Sequence, residues 1–144
     1  MNLYVHFPFC RAKCAYCALL SRAGATPAAR AAYVGRVRGE VASLPAREGG
    51  PLTVYFGGGS PALCDLAPLA GALAPLAGAA DEMEFTVELH PLDATPRTLD
   101  ALRRLGVNRI SMGVQSLDDA ALAAMGRLHT AAEAEAAFRR ARRA

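Results

Sequence analysis

Cys10, Cys14 and Cys17 fall within eight residues, spaced by four and three, directly behind an apolar run that Pro8 closes. Cysteines this close along a chain are poorly placed to pair as disulfides and well placed to gather thiolates around a metal. A reducing compartment keeps them available for it. Iron–sulfur clusters usually take four thiolates. Three leave one iron open to an outside ligand, and an open position separates a catalytic metal centre from a closed structural one. The alternative on spacing is a structural zinc held by the same three thiolates with Cys64 or His6. Cys64, however, lies in a leucine-rich helical stretch, where a lone cysteine reads as a small buried hydrophobe. His6, between Val5 and Phe7, reads as a hydrogen-bonded packing histidine.

Apolar runs with strand character alternate with longer amphipathic stretches, so an α/β chain positions that loop. Leu3-Tyr4-Val5-His6-Phe7 is the first strand, and Pro8, which cannot donate to a sheet ladder, makes the cysteine segment a loop. Thr26-Pro27 opens a helix, carried by Tyr33, Val34, Val37, Val41 and Leu44 until Pro45 ends it. Leu52–Phe56 is a second strand running into Gly57-Gly58-Gly59-Ser60-Pro61. Leucines at 63, 66, 69, 73 and 76 predict helix, broken into pieces by Pro68 and Pro75. Glu84–Glu88 is a third strand, Thr95 to Gly106 a helix, and Arg109–Val114 a fourth strand. A short helix follows from Asp118 to Met125, and Thr130 with Glu133 has the spacing of a capping box that opens a last helix.

Repeated strand-then-helix units imply parallel strands joined by right-handed crossovers. Four such units fall short of a closed eight-unit barrel, which takes about 250 residues. The expectation is therefore that residues 1–144 are the front part of a larger barrel domain, since a last parallel strand left bare would be an unprotected edge.

With 53% hydrophobic and 20% charged positions, 144 residues suffice for one globular core and are too apolar for disorder. Sixteen basic against thirteen acidic residues give a net charge of +3, too mild to argue for nucleic acid. The arginines at 139, 140, 142 and 143 read as a solvated helix face. No stretch reaches the roughly 18 apolar residues of a membrane span, and the N-terminus does not have the pattern of a secretion signal, so a cytoplasmic protein is expected.

Tyr4-Val5-His6-Phe7-Pro8-Phe9-Cys10 and the CxxxCxxC loop behind it resemble the opening of radical S-adenosylmethionine proteins. They are most similar to the oxygen-independent coproporphyrinogen III oxidases and their relatives, the heme chaperones of the HemW type. The likeness continues through Tyr55–Pro61, Val87–Pro91, Gly106–Ser116 and Arg127–Thr130, in the family's order. It implies a partial TIM-like barrel and a [4Fe–4S] cluster held by Cys10, Cys14 and Cys17. The fourth iron would be chelated by the amino and carboxylate groups of S-adenosylmethionine, whose reductive cleavage gives a 5′-deoxyadenosyl radical.

The resemblance also implies roles for other residues. Gly58, Gly59 and Ser60 belong to the run whose backbone approaches the cofactor's ammonium. Glu88, whose carboxylate alternation points away from the Phe85/Val87 face, matches the residue that accepts from the ribose hydroxyls. Gln115 matches a ribose-side contact, and Arg127 the arginine that pairs with the cofactor carboxylate. Tyr16 stands at the aromatic position beside the adenine, and Tyr4 matches a tyrosine next to the cofactor. The implied partners are heme or a porphyrinogen and an electron donor of the flavodoxin or ferredoxin type.

Three departures stand out. Ser60 replaces a more usual threonine and keeps the hydroxyl. His90 stands where asparagine or aspartate is common. The oxidases carry a further cysteine two positions after the third ligand, and here that position is Leu19. Leu19 favours the heme chaperone over an oxidase that decarboxylates coproporphyrinogen, with another radical oxidoreductase of the superfamily as a third reading.

Overall fold

The protein is described here by a computed structural model covering residues 2–45, 53–77 and 83–144. In chain order its elements are β1 (Asn2–Phe7), the two-residue strands β2 (Phe9–Cys10) and β3 (Arg22–Ala23), α1 (Pro27–Ala42), β4 (Thr53–Gly58), α2 (Ala70–Ala77), β5 (Glu84–Leu89), α3 (Pro96–Arg104), β6 (Arg109–Met112), α4 (Asp119–Ala124) and α5 (Ala131–Arg143). Short 3-10 turns lie at Pro61–Leu63, Ala67–Leu69 and Pro91–Asp93. The main sheet is parallel with order β1-β4-β5-β6. Every crossover therefore steps the same way. A doubly wound sheet reverses direction at a switch point, whereas a barrel does not, so the strand order is that of a partial barrel.

Alternation along the strands gives the sheet two unlike faces. In one set of register rows lie Leu3, Val54 and Phe85, then Val5, Phe56, Val87 and Ile110. This face carries the core: Phe7, Phe56, Phe85 and Val87 are fully buried, and the Phe56 ring lies 5.2 Å from Phe7 and 4.9 Å from Phe85. Val34, Val37 and Val41 of α1, Leu69, Leu73 and Leu76 of the second crossover, and Leu99 and Leu102 of α3 cover it. Each large apolar side chain buried this way contributes about 1.5–3 kcal/mol. The opposite face carries Tyr4, His6, Tyr55, Thr86, Glu88, Arg109 and Ser111.

The helices begin where hydroxyl residues cap them. Thr26 Oγ1 accepts from the Ala29 amide, Thr95 Oγ1 from the Thr98 amide, and Thr130 and Glu133 form the expected capping box. Several expected boundaries move. Helix α1 stops at Ala42, capped by Ser43, so Leu44 is exposed rather than part of the helix's buried stripe. Pro75 does not break α2: it sits in the second half of an eight-residue helix, where its missing N–H removes one bond. Strand β6 ends at Met112, two residues before the expected Val114, and β5 runs one residue past Glu88. Cys10 is itself paired in a small ribbon with Ala23, so the loop between β2 and β3 is closed at its base. Leu52, expected to begin the second strand, lies outside the described residues.

Candidate functional site

The three cysteines of the loop and most of the expected cofactor contacts lie on the polar sheet face or at the carboxyl ends of its strands, where parallel α/β folds place their sites. Strand β1 delivers the cysteine loop. The Tyr33 hydroxyl of α1 donates to the His6 carbonyl, and its ring packs edge-on to Phe7 and Phe9, which fixes the base of that loop. The Ala15 amide bonds to the Met125 carbonyl at 3.1 Å, and the Cys17 amide to the Cys14 carbonyl at 3.2 Å. Cys10, Cys14 and Cys17 are half-buried free thiols. Burial pushes the Cys10 thiol above its usual range, and charge on Cys17 and Cys14 nearby adds to that, against lowering by Ser21 and Lys13. A metal centre binds such groups as thiolates, so its positive charge would offset the burial that holds Cys10 protonated.

The glycine run after β4 forms the floor. Gly58 has φ +105°, and a Cβ there would come within 2.6 Å of the His6 ring. At Gly59 a Cβ would lie 2.3 Å from the Phe9 carbonyl oxygen and 2.8 Å from Cys10 Sγ, so only glycine lets this run pass beneath the first cysteine. Its amide donates to the Phe7 carbonyl at 2.7 Å. A cavity of about 60 Å³ opens here, lined in part by Cys10, Cys14, Gly59, Ser60, His90 and Arg127.

Arg127 reaches across from beyond α4. Its Nη1 donates to Cys14 Sγ at 3.3 Å and its Nη2 to the Gly113 carbonyl at 2.6 Å, while its buried Nε has no partner among the described residues. Gln115, at φ +71°, and Arg127 both lie close to Gly113: a Cβ on that glycine would lie 3.3 Å from Gln115 Nε2 and 3.6 Å from Arg127 Nη2. Tyr16 is half exposed beside this group, its hydroxyl pKa raised by burial and lowered by Arg127.

A second group gathers around Glu88. The Tyr55 hydroxyl donates to Oε1 at 2.7 Å and the Gly58 amide to Oε2 at 2.9 Å. Tyr4, 57% exposed, stacks on Tyr55 and shares a 3.1 Å hydrogen bond with His6 Nδ1. His6 Nε2 lies 2.8 Å from the Leu20 carbonyl, the packing role expected of it. The glycine run joins the two groups, since Gly58 bonds to Glu88 and Gly59 abuts Cys10.

The site also contains residues to which the sequence assigned no role, His90 having stood out only as a departure from the family. Tyr55 orients Glu88. Asp93, 3% exposed, accepts from Ser60 Oγ at 2.5 Å and from Arg11 Nε at 2.8 Å. His90 and His129 pack edge to face with centroids 5.0 Å apart. Burial, with Arg127 and His129 nearby, depresses His90 to about 4. Its Nδ1 accepts from the Leu92 amide at 3.2 Å, a turn-capping role that an asparagine or aspartate side chain can also fill. His90 left a signal in the sequence only as a departure from the family, and Asp93 only as an acid just before a helix start, where it reads as an ordinary turn residue.

Among the described residues no three His, Cys, Asp or Glu side chains converge tightly enough for one metal ion. Cys64 is buried in the core instead, its thiol pushed up to about 11 by burial. A cube of four irons spreads its ligands more widely than a single ion, so three thiols not gathered tightly enough for one ion, above a side-chain-free floor, are compatible with a cluster. No helix among those described is long and apolar enough to cross a membrane.

The sequence profile described as the Radical SAM superfamily matches residues 4–144, and the chain belongs to that superfamily, in its HemN/HemW-like family. It is 36% identical over 138 residues to mitochondrial radical S-adenosyl methionine domain-containing protein 1 of Bos taurus, covering 92% of this chain and 31% of that protein. Over 133 residues it is 33% identical to the oxygen-independent coproporphyrinogen III oxidase of Cereibacter sphaeroides, covering 88% and 30%. Over 135 residues it is 35% identical to the heme chaperone HemW of Synechocystis, covering 88% and 32%. The structure of the radical SAM enzyme coproporphyrinogen III oxidase (HemN) from Escherichia coli superposes with a TM-score of 0.84 at 28% identity, covering 99% of this chain and 34% of that one. The chain thus spans about a third of the length of the relatives it matches. The family implies a [4Fe–4S] cluster and S-adenosylmethionine, and its three cluster cysteines are present as Cys10, Cys14 and Cys17.

Proposed function

We propose that residues 1–144 are the cluster- and cofactor-binding part of a radical SAM core domain whose later strands and C-terminal domain lie beyond them, and that the whole protein is a HemW-type heme chaperone. Cys10, Cys14 and Cys17 would hold the cluster, with Arg127 Nη1 already aimed at Cys14 Sγ. When bound, cluster and S-adenosylmethionine supply a one-electron reductive cleavage of the sulfonium. This chain's residues bind and orient. Gly58 and Gly59 admit the ammonium, and Ser60, its hydroxyl committed to Asp93, contributes backbone groups. Glu88, held by Tyr55 and Gly58, keeps its remaining lone pairs for ribose hydroxyls. Gln115 takes the ribose side, Arg127 the carboxylate, Tyr16 the adenine and Tyr4 the cofactor's flank.

The observation that carries the chaperone reading is Leu19. At 51% exposed, it presents an apolar side chain where an oxidase presents a thiol. Heme is then the cargo, and a flavodoxin- or ferredoxin-type protein the electron donor, in a cytoplasmic setting. The likeness to coproporphyrinogen III oxidases in fold and sequence supports the second reading, oxidative decarboxylation of a porphyrinogen, or another radical SAM oxidoreductase.

Anaerobic reconstitution with iron and sulfide tests the site. The expected result is a broad charge-transfer absorbance and an electron paramagnetic signal that changes on adding S-adenosylmethionine; uptake of stoichiometric zinc in place of iron would refute it. Heme titration of the full-length protein, run beside a coproporphyrinogen decarboxylation assay, divides the readings. Heme binding without product supports the chaperone, and product at enzymatic rates establishes the oxidase.

A further inference from the structure

The loop bearing the cysteines has little packing to hold it. Arg11, Lys13, Ala15 and Tyr16 are exposed, as are Ala18, Leu19 and Leu20. Its shape therefore depends on a few polar anchors. Lys13 Nζ bonds within the loop, to the Leu19 carbonyl and Ser21 Oγ, both at 2.8 Å. The Ala15 amide and Cys14 Sγ tie the loop to the segment after α4. The stretch between the first two cysteines is tied toward β5 by a different device: Arg11 donates from Nε at 2.8 Å and from Nη2 at 2.5 Å to Asp93 Oδ1.

Asp93 is an unusual partner for a loop arginine. It is 3% exposed while Arg11 is 46% exposed, so the loop reaches inward to a buried carboxylate. The other oxygen, Oδ2, accepts from Ser60 Oγ, itself buried at the end of the glycine run that passes beneath Cys10. One carboxylate thus bridges the loop between Cys10 and Cys14 to the floor below Cys10. Buried carboxylates are retained only where they are paired, and this one is paired across the two surfaces whose separation the thiolates depend on.

We propose that Asp93 is a positioning residue, which with Arg11 and Ser60 latches the cysteine loop onto the glycine run and sets where Cys10 and Cys14 stand before any cluster is present. The proposal rests on the cluster-binding reading for its consequence, and on the loop geometry alone for its first test. Neither Asp93 nor Arg11 touches the reacting atoms; both act through the cysteines. Groups that orient metal ligands in this way change metal affinity by about 10- to 100-fold when removed.

The first experiment uses the metal-free chain and measures alkylation of Cys10, Cys14 and Cys17 by iodoacetamide, site by site, beside the thermal midpoint. R11M and the charge-neutral double variant R11M/D93N, which leaves no buried unpaired carboxylate, should speed alkylation of Cys10 and Cys14 by about tenfold at temperatures where α1 and the core remain folded. R11K, which restores charge without the planar fork, should recover part of that protection. The second experiment reconstitutes each variant with iron and sulfide and follows iron loss to a chelator, with about tenfold faster loss expected in R11M/D93N. Unchanged alkylation rates in both variants would overturn the latch, as would rates that rise equally at Cys64 with a collapse in thermal midpoint. A wild-type chain that takes up no iron would instead sink the cluster reading, while the alkylation pattern still decides the latch.

Discussion

The two faces of the sheet are built on opposite principles. On one, Phe7, Phe56, Phe85 and Val87 are buried by helices and hold their places through packing alone. On the other, Tyr4, His6, Tyr55 and Glu88 hold theirs through directed hydrogen bonds, with Tyr4 more than half exposed. Packing is non-directional and tolerant of sequence change provided volume is kept. A hydrogen-bonded row is specific in geometry and contributes little net stability. The division lets one face make the domain stable while the other arranges groups for binding.

Phe56→Ala is the harshest test of that division. It should destabilise the chain by about 3–5 kcal/mol in urea unfolding, because it removes a fully buried ring at the centre of the aromatic row. A cost below that of an exposed substitution would mean the packed face is not the source of stability. Gly59→Ala attacks the seam between the faces. Its Cβ would collide with the Phe9 carbonyl and Cys10 Sγ, so a loss of about 1–3 kcal/mol is expected, accompanied by altered Cys10 reactivity. Unaltered reactivity would show that the glycine floor does not define the cysteine's position.

Acid should separate the faces through His90. Its folded pKa of about 4 lies below the ordinary 6.5, so the unfolded chain binds more protons between those values, and stability falls as pH drops from about 6.5 to 4. His90 is only partly buried and solvent screens it, so the loss is about 1 kcal/mol. His129 is depressed too, chiefly by burial, and acts in the same direction. His90→Asn keeps a capping acceptor for the Leu92 amide and should flatten this part of the pH profile; an unchanged profile would assign the acid sensitivity elsewhere. The smallest effect is expected of Tyr4→Phe, which loses one exposed hydrogen bond and should shift stability by no more than about 0.5 kcal/mol. A larger loss would show that the polar row also carries stability.

These contrasts explain what could be read in advance. The strands, the threonine-capped helices and the parallel order follow from periodicity and caps, because the packed face imposes a strict alternation and helix starts carry their own side-chain signals. The cysteine loop was legible for the same local reason, with its ligands within eight residues. Glu88 was legible as a carboxylate on the polar face, but not as the acceptor of Tyr55. Helix ends were less so: α1 stops before Pro45 because Ser43 already closes it.

By itself, then, the sequence determined the elements, the apolar face and three thiols in one loop, since these depend on neighbours close along the chain. Only the tertiary structure decided that Arg11 meets Asp93 across 82 positions, that Arg127 reaches Cys14 across 113, and that the rings of His90 and His129 pack edge to face. Such pairings depend on how parallel crossovers bring strand ends together, and no local pattern encodes the partner of a polar side chain that far away.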